Sequence, residues 1–280
     1  MLIKRKKGLL IGLPDGGHIR EATYEILRKS GFMIIDYGDT KSRKYTANLT
    51  LPSGIISEII IDKPRDLLYS LALGKVDMII TGSDYVNDFC LFHNTLQKTI
   101  FSSGCKLIES AHINLEHLGY PGAQLGFMVR RDNMYNDLDD LIRKEDKIIC
   151  YTEFPMMAAQ YLSQFSAYQK RFGNILPYVV SNFSVNGSNS DITIIYSHGA
   201  TESKAVLDNS SLIFELILSG RTFRDNKLKL LCNVGGPIFN LIYKRNDSVN
   251  QQGIEEFVKL LESTVQRYSD LYMISKKHNK

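Results

Sequence analysis

Apolar residues recur along this chain in two rhythms, short continuous runs and three-to-four spacing, and the two alternate. Residues 8–13 (GLLIGL) form a continuous apolar run, which predicts a buried strand. A Pro-Asp-Gly-Gly turn follows. Ile19, Ala22, Ile26 and Leu27 then keep helical spacing until Gly31 stops the helix. Residues 32–36 and 55–61 predict further strands, with 40–48 a polar loop between them. Pro64 opens a helix whose apolar face is Leu67, Leu68, Leu71 and Ala72, ending at Gly74. Residues 76–80 predict a parallel strand that delivers the chain into Thr81-Gly82-Ser83-Asp84, a small polar loop at a strand's carboxyl end.

Beyond residue 87 the rhythm is less regular. A helix and a strand fall within 89–118. Strands are predicted over 125–129, 147–151, 178–180, 192–196, 228–232 and 238–243, and helices over 138–142, 156–165 and 254–265. Residues 211–218 predict a helix, with Ile213, Leu216 and Ile217 on one face, running into Ser219-Gly220-Arg221-Thr222. Alternating strands and helices predict an α/β fold with a mainly parallel sheet covered by helices. The irregular middle splits it into two α/β lobes, residues 1–92 plus 232–280 as one and 93–231 as the other. No internal repeat or heptad run is present.

Composition narrows the class. At 280 residues, 44% hydrophobic and 23% charged, the chain matches an ordinary soluble globular protein. No apolar run reaches membrane-spanning length. The basic start is followed by an apolar patch of only a few residues, with Asp15 next, so the start is a first strand and not a leader. The four cysteines are scattered with no CxxC pair, which predicts a reduced, cytoplasmic protein without a zinc site. Net charge is +4, in short basic clusters without aromatic interleaving, which argues against nucleic acid as a partner.

Five turns share small, polar, glycine-bearing character: 14–18, 81–84, 152–155, 198–202 and 219–222. Open α/β sheets place ligands at such strand ends. In Ser219-Gly220-Arg221-Thr222 the glycine lets backbone approach a phosphate, hydroxyls and N–H groups donate, and Arg221 adds charge. The same turn also serves as a plain helix stop. Glu215, one turn earlier, is placed to hold sugar hydroxyls. His18 is either a phosphate-side ligand or a helix-capping residue. Asp84 and Glu153 either orient a ligand or cap the next helix, and His198 is either ligand-facing or structural. His93, His112 and His117 show no metal-ligand spacing.

In this order the turns resemble those of the ATP phosphoribosyltransferase family, the enzymes that open histidine biosynthesis. RDLLYSLALGKVDMIITGSD (65–84) resembles the family's "D-I-P-x-Y-V-x-x-G-x-A-D-L-G-I-T-G-x-D". Residues 118–125 (LGYPGAQL) stand where the family has "L-G-F-G-x-C-x-L". Thr152-Glu153-Phe154-Pro155 resembles "A-T-x-Y-P", His198-Gly199-Ala200-Thr201-Glu202 resembles "x-G-S-V-E", and ELILSGRTF (215–223) resembles "D-L-V-x-T-G-x-T-L". The resemblance implies two lobes of the type II periplasmic-binding-protein kind. It implies transfer of phosphoribosyl from phosphoribosyl pyrophosphate (PRPP) to N1 of ATP, with Mg²⁺ on the departing pyrophosphate. It assigns Ser219, Gly220, Arg221 and Thr222 to the 5-phosphate and Glu202 and Glu215 to the ribose. Gly17, His18, Gly82, Ser83, Asp84 and Thr152 fall to the nucleotide. The family's long form adds a regulatory domain that this sequence lacks. The resemblance therefore implies a homo-oligomer with a histidyl-tRNA-synthetase-like partner subunit.

The match also has departures. The first loop reads Pro14-Asp15-Gly16-Gly17-His18-Ile19 where the family has "P-x-K-G-R-L", so a lysine and an arginine are replaced by Gly16 and His18. An imidazole does not reproduce a guanidinium fork. Arg20, two residues on, is a candidate substitute, though on a helix it would point elsewhere. The family's basic residue in the second motif is Gln124, and an aspartate near the ribose is Ser211. Two classes follow: a phosphoribosyltransferase with ATP or another purine-like acceptor, and a module that binds a nucleotide or phosphoribosyl ligand without chemistry.

Overall fold

The structure, a computed structural model, describes residues 8–38, 44–96, 107–113, 123–180, 185–186, 191–199, 201–206, 211–217, 220–236, 239–244 and 251–278. The chain divides into two compact units. One comprises Met1–Val86, Leu96–Tyr120 and Ile238–Lys280, the other Asn87–Thr95 and Pro121–Pro237. Residues 96–120 thus fall with the first unit and 87–95 with the second, where the sequence reading cut the chain at 92/93 and 231/232.

The first unit is built on β1 (Leu10–Pro14), with β4 (Ile56–Asp62) and β5 (Met78–Gly82) parallel to it on either side. β3 (Thr46–Thr50) and β2 (Met33–Ile35) extend one edge, β14 (Phe239–Lys244) and β6 (Leu107–Ile113) the other, all by antiparallel pairing. Ile11 and Leu13 face a core shared with α1 (Gly17–Lys29) and the long α8 (Gln251–His278). Ile26, Leu27, Phe257 and Leu261 fill it, and Phe32 stacks on Phe257 at 4.6 Å. Gly12 alternates to the opposite face, where α2 (Pro64–Ala72) lies. A Cβ on Gly12 would come within 2.7 Å of Leu67 Cδ2, so the glycine sets how closely the helix packs. The predicted loop 40–48 is partly strand. Thr46–Asn48 belong to β3, because Ala47 and Leu49 alternate into the core against β4.

The second unit holds a seven-stranded sheet in the order β10-β9-β11-β8-β12-β7-β13. Its members are β7 (Gln124–Arg130), β8 (Ile148–Thr152), β9 (Tyr178–Val180), β10 (Val185–Asn186), β11 (Ile192–Tyr196), β12 (Ser211–Ile217) and β13 (Leu228–Gly235). β9, β11, β8 and β12 run parallel, while β10, β7 and β13 are antiparallel to their neighbours. Both sheets are therefore mixed, not mainly parallel. Hydrophobic period does not encode strand direction, so only the crossovers settle it.

Two local expectations are overturned. Residues 211–217 are a strand, not a helix. Ile213 and Ile217 share one face in either geometry, so their spacing fits both periods. Phe214 decides the outcome, because it packs on the opposite face against Phe127 at 4.5 Å and Tyr161 at 6.0 Å. Ile213 packs with Met128, Leu228 and Ile217. A strand buried on both faces carries a continuous apolar run that period alone does not separate from a helix. Residues 81–84 form no loop: Thr81 and Gly82 end β5, and Ser83 begins α3 (Ser83–Leu96) directly.

Candidate functional site

In the second unit four adjacent strands bring polar groups to one end of the sheet. Phe214 of β12 pairs with Thr152, the last residue of β8, and Tyr196 of β11 pairs with the same Thr152 on its other side. Beyond this row β8 leads into Glu153, β11 into Ser197-His198-Gly199, and β12 continues through Glu215 to Ile217. β12 there pairs with the first residues of antiparallel β7, Leu216 with Leu125 and Ile217 with Gln124. Neighbouring strands lie about 4.8 Å apart. Thr152, Glu153, Ser197-His198-Gly199, Glu215 and Gln124 thus lie along one end of the sheet.

Local bonds fix each group. Thr152 is buried; its Oγ1 accepts from Phe154 N at 2.8 Å and its carbonyl accepts from Ser197 N at 2.9 Å. Glu153 Oε1 accepts from Gly199 N at 3.2 Å and from His198 Nδ1 at 2.9 Å. Glu215 Oε1 accepts from Leu216 N at 2.9 Å. Gly220 takes φ +66°, left-handed backbone that favours glycine. Its carbonyl starts α7 (Arg221–Asp225) by accepting from Arg224 N at 3.0 Å. Arg224 Nη1 lies 3.0 Å from where a Cβ on Gly220 would stand, so this guanidinium folds back over the turn. Arg221 is exposed outward and pairs with Asp225 at 3.5 Å. The motif reading named Arg221 and missed Arg224. Its signal was available, a second arginine three residues on, one helical turn away. Ser219 and the side chains of Glu202 and Thr222 lie outside the described residues.

Ser211 does not sit at this edge. It pairs with Ile149, three residues back from Thr152, and is buried inside the sheet. The loss of an aspartate at that position therefore falls in the sheet interior. Helix α5 (Pro155–Leu162) follows the Thr152 turn, and its Phe154 cap offers no side-chain bond. Asp88 of α3, almost wholly buried, takes that place by accepting from Met156 N at 2.8 Å and Met157 N at 3.0 Å. Sequence spacing carried no sign of this, because the cap arrives from a helix 68 residues away.

In the first unit the parallel strands β1, β4 and β5 end together, and Asp15 N donates to Asp62 O at 3.0 Å. Gly17 and His18 open α1 and Gly82, Ser83 and Asp84 join β5 to α3; the His18 side chain lies outside the described residues. The Asp84 carboxylate lies in the space a Cβ on Gly82 would take, and its Oδ1 accepts from Tyr85 N at 2.9 Å. Arg20 points inward. Its guanidinium donates to Asp15 O at 3.0 Å and twice to Tyr37 O at 3.0 and 3.2 Å, and lies over the Tyr37 ring. Tyr37 OH donates to Pro14 O at 2.9 Å, and burial pushes this phenol's pKa well above its ordinary value. Arg20 and Tyr37 brace the first loop and do not stand in for the missing arginine.

Among the described residues no group of three His, Cys, Asp or Glu side chains is placed to hold a metal ion. No helix among them is long and apolar enough to cross a membrane. Cys150 is fully buried, and burial raises its thiol pKa far above the reactive range.

Comparison with known proteins bears on the family and the fold. A family model described as ATP phosphoribosyltransferase matches residues 63–263. The ATP phosphoribosyltransferase of Methanocaldococcus jannaschii is 25% identical over 260 residues, covering 92% of this chain and 73% of the relative. That of Caldicellulosiruptor saccharolyticus is 26% identical over 255 residues, covering 91% and 98%. Among solved structures, the ATP phosphoribosyl transferase (HisG:HisZ) complex from Thermotoga maritima aligns at TM-score 0.58 and 15% identity over 92% of this chain and 99% of that one. A binding-protein component of an ABC phosphonate transporter from Pseudomonas aeruginosa aligns at TM-score 0.50 and 11% identity, over 93% and 79%, and shares the fold of two α/β lobes. The family model runs from just after β4 into α8 and takes in residues 82–84, 152–153, 198–202 and 219–222. By this match the chain belongs to the ATP phosphoribosyltransferase family, a family of pentosyltransferases.

Proposed function

We propose that the chain transfers the phosphoribosyl group of PRPP to N1 of ATP and releases pyrophosphate. The observation that carries this reading is the family match over 63–263 together with the common strand end of Thr152, Glu153 and Glu215. The 219–222 turn would hold the 5-phosphate through backbone N–H groups, the Ser219 and Thr222 hydroxyls and Arg221, with Gly220 allowing close approach. Glu202 and Glu215 would accept from ribose hydroxyls. Gly17, His18, Gly82, Ser83, Asp84 and Thr152 would meet the nucleotide.

In the reaction the N1 lone pair forms a bond to ribose C1 while the C1–O electron pair leaves with pyrophosphate. Charge at C1 is cation-like at the transition state, so positioning and stabilisation of the leaving group suffice and no covalent nucleophile is required. Mg²⁺ would arrive on the pyrophosphate oxygens as part of the substrate. Scattered cysteines fit a cytoplasmic setting. A histidyl-tRNA-synthetase-like subunit is the proposed partner of a homo-oligomer, and the fold shared with one member of a two-protein complex supports it. A purely ligand-holding role is not favoured by the family match.

The test is to incubate the protein with PRPP, Mg²⁺ and ATP and to follow pyrophosphate release together with the absorbance of phosphoribosyl-ATP. Coupled appearance of both products is expected. PRPP binding without turnover on ATP would reject the reading.

A further inference from the structure

The backbone ladder between β11 and β8 ends where the candidate site begins. Ser197 N donates to Thr152 O at 2.9 Å, and the next turn of β8 closes on itself through Phe154 N and Thr152 Oγ1. From there the two chains part, because β8 goes into α5 and β11 into the 3-10 turn Thr201–Val206. The N–H of Gly199 lies past the last backbone acceptor. The Glu153 side chain reaches across instead, and one oxygen takes both Gly199 N–H and His198 Nδ1. Glu153 acts as one more rung of the ladder, made of a side chain. It fixes Gly199, which holds φ +66° shortly before Thr201 and Glu202. Thr201 is buried, yet its hydroxyl finds no hydrogen-bond partner among the described residues.

We infer that Glu153 is a positioning residue for the phosphoribosyl donor. By clamping His198 and Gly199 it sets where Glu202 meets the ribose, without touching substrate itself. This rests on the proposed reading of Glu202 as a ribose contact. The acceptor oxygen carries the role, not the charge: a glutamine amide oxygen at the same reach accepts from the same N–H. An aspartate, one methylene shorter, does not span the gap between the two strand ends.

The experiment compares Glu153→Ala, Glu153→Gln and Glu153→Asp with the wild-type protein, by calorimetric titration of PRPP with Mg²⁺ and by kinetics with each substrate varied. Glu153→Ala and Glu153→Asp are expected to weaken PRPP binding about tenfold and leave the KM for ATP within about twofold, while Glu153→Gln stays within about threefold of wild type. A general loss of structure would raise both KM values together, and that result overturns the inference. So does wild-type PRPP affinity in Glu153→Ala, or a Glu153→Gln protein as weak as Glu153→Ala. If Glu153→Ala fails to fold, the Gln and Asp variants decide alone: equal PRPP affinity in the two overturns the inference. Wild-type protein that binds no PRPP overturns the functional reading and this inference with it. Wild-type protein that turns over PRPP beside an unaffected Glu153→Ala overturns this inference only.

Discussion

Asp88 Oδ1 lies 2.8 Å from the backbone nitrogen of Met156, and the same oxygen takes Met157 N. A carboxylate from α3 thereby caps α5, the helix that starts directly after the Thr152 turn. Two N–H groups at a helix N-terminus and the local dipole both favour the negative charge. Truncation to Ala would leave these buried donors unpaired. Asp88→Ala is expected to destabilise the protein by about 2–3 kcal/mol, and Asp88→Asn by roughly half that. Urea unfolding of the three proteins checks it, and equal midpoints would dismiss the cap as a stabilising contact.

Gly220 and Gly173 offer a matched pair. Both hold left-handed backbone, φ +66° and +61°, but Gly173 has open space around it whereas Gly220 faces Arg224. Replacement by Ala costs about 1–2 kcal/mol for left-handed helical backbone and more at Gly173, whose ψ of −130° only glycine adopts readily. A drop in melting temperature is expected from both variants, at least as large for Gly173→Ala. Only Gly220→Ala should also weaken PRPP binding, by about tenfold or more if the turn cradles the phosphate. Calorimetric titration of both variants separates strain from ligand contact, and parallel PRPP affinities would remove Gly220 from the site.

Arg20 is buried, and its guanidinium makes three hydrogen bonds to backbone carbonyls. Arg20→Ala strips Asp15 and Tyr37 carbonyls of their partner and removes the packing over the Tyr37 ring. A loss of about 2–4 kcal/mol is expected, with Arg20→Lys intermediate because an ammonium does not reproduce the fork. Thermal and urea unfolding measure it. A variant with unchanged stability would mean that the first loop is held by other groups.

Two phenols give the fold a base-sensitive limb. Burial raises the pKa of Tyr37, and burial with the adjacent Glu145 carboxylate pushes Tyr135 up to about 12. In the unfolded chain both titrate near 10. The neutral form is favoured by folding, so this contribution is fully present below about pH 10 and is lost as pH rises from there through the folded values. Melting temperature should therefore fall steadily above pH 10, and less steeply in Tyr135→Phe. A Tyr135→Phe protein with the wild-type slope would contradict the assignment.

Single hydroxyl removals test the anion end directly. Ser219→Ala combined with Thr222→Ala is expected to weaken PRPP binding by about ten- to hundredfold, with each lost donor removing about 1–1.5 kcal/mol. The same titration reads it, and an unaltered dissociation constant would remove these hydroxyls from the phosphate.

What the sequence determined by itself was local. The helix at Gly17–Lys29 and the one at Pro64–Ala72, the strand at Ile192–Tyr196 and the positions of the glycine-bearing turns follow from spacing and turn residues close together in the chain. Family membership was also legible, because motif order survives where identity is low. What only the tertiary structure decided depends on partners far apart. Residues 211–217 became a strand because Phe127 and Tyr161 cover the face that a helix would have exposed. β7, β13 and β14 run antiparallel because of crossovers that period does not encode. Arg20 turned inward to Tyr37, Asp88 reached Met156, and Glu153 reached Gly199. Each of these is a polar group finding a backbone partner through space, and spacing along the chain holds no record of that distance.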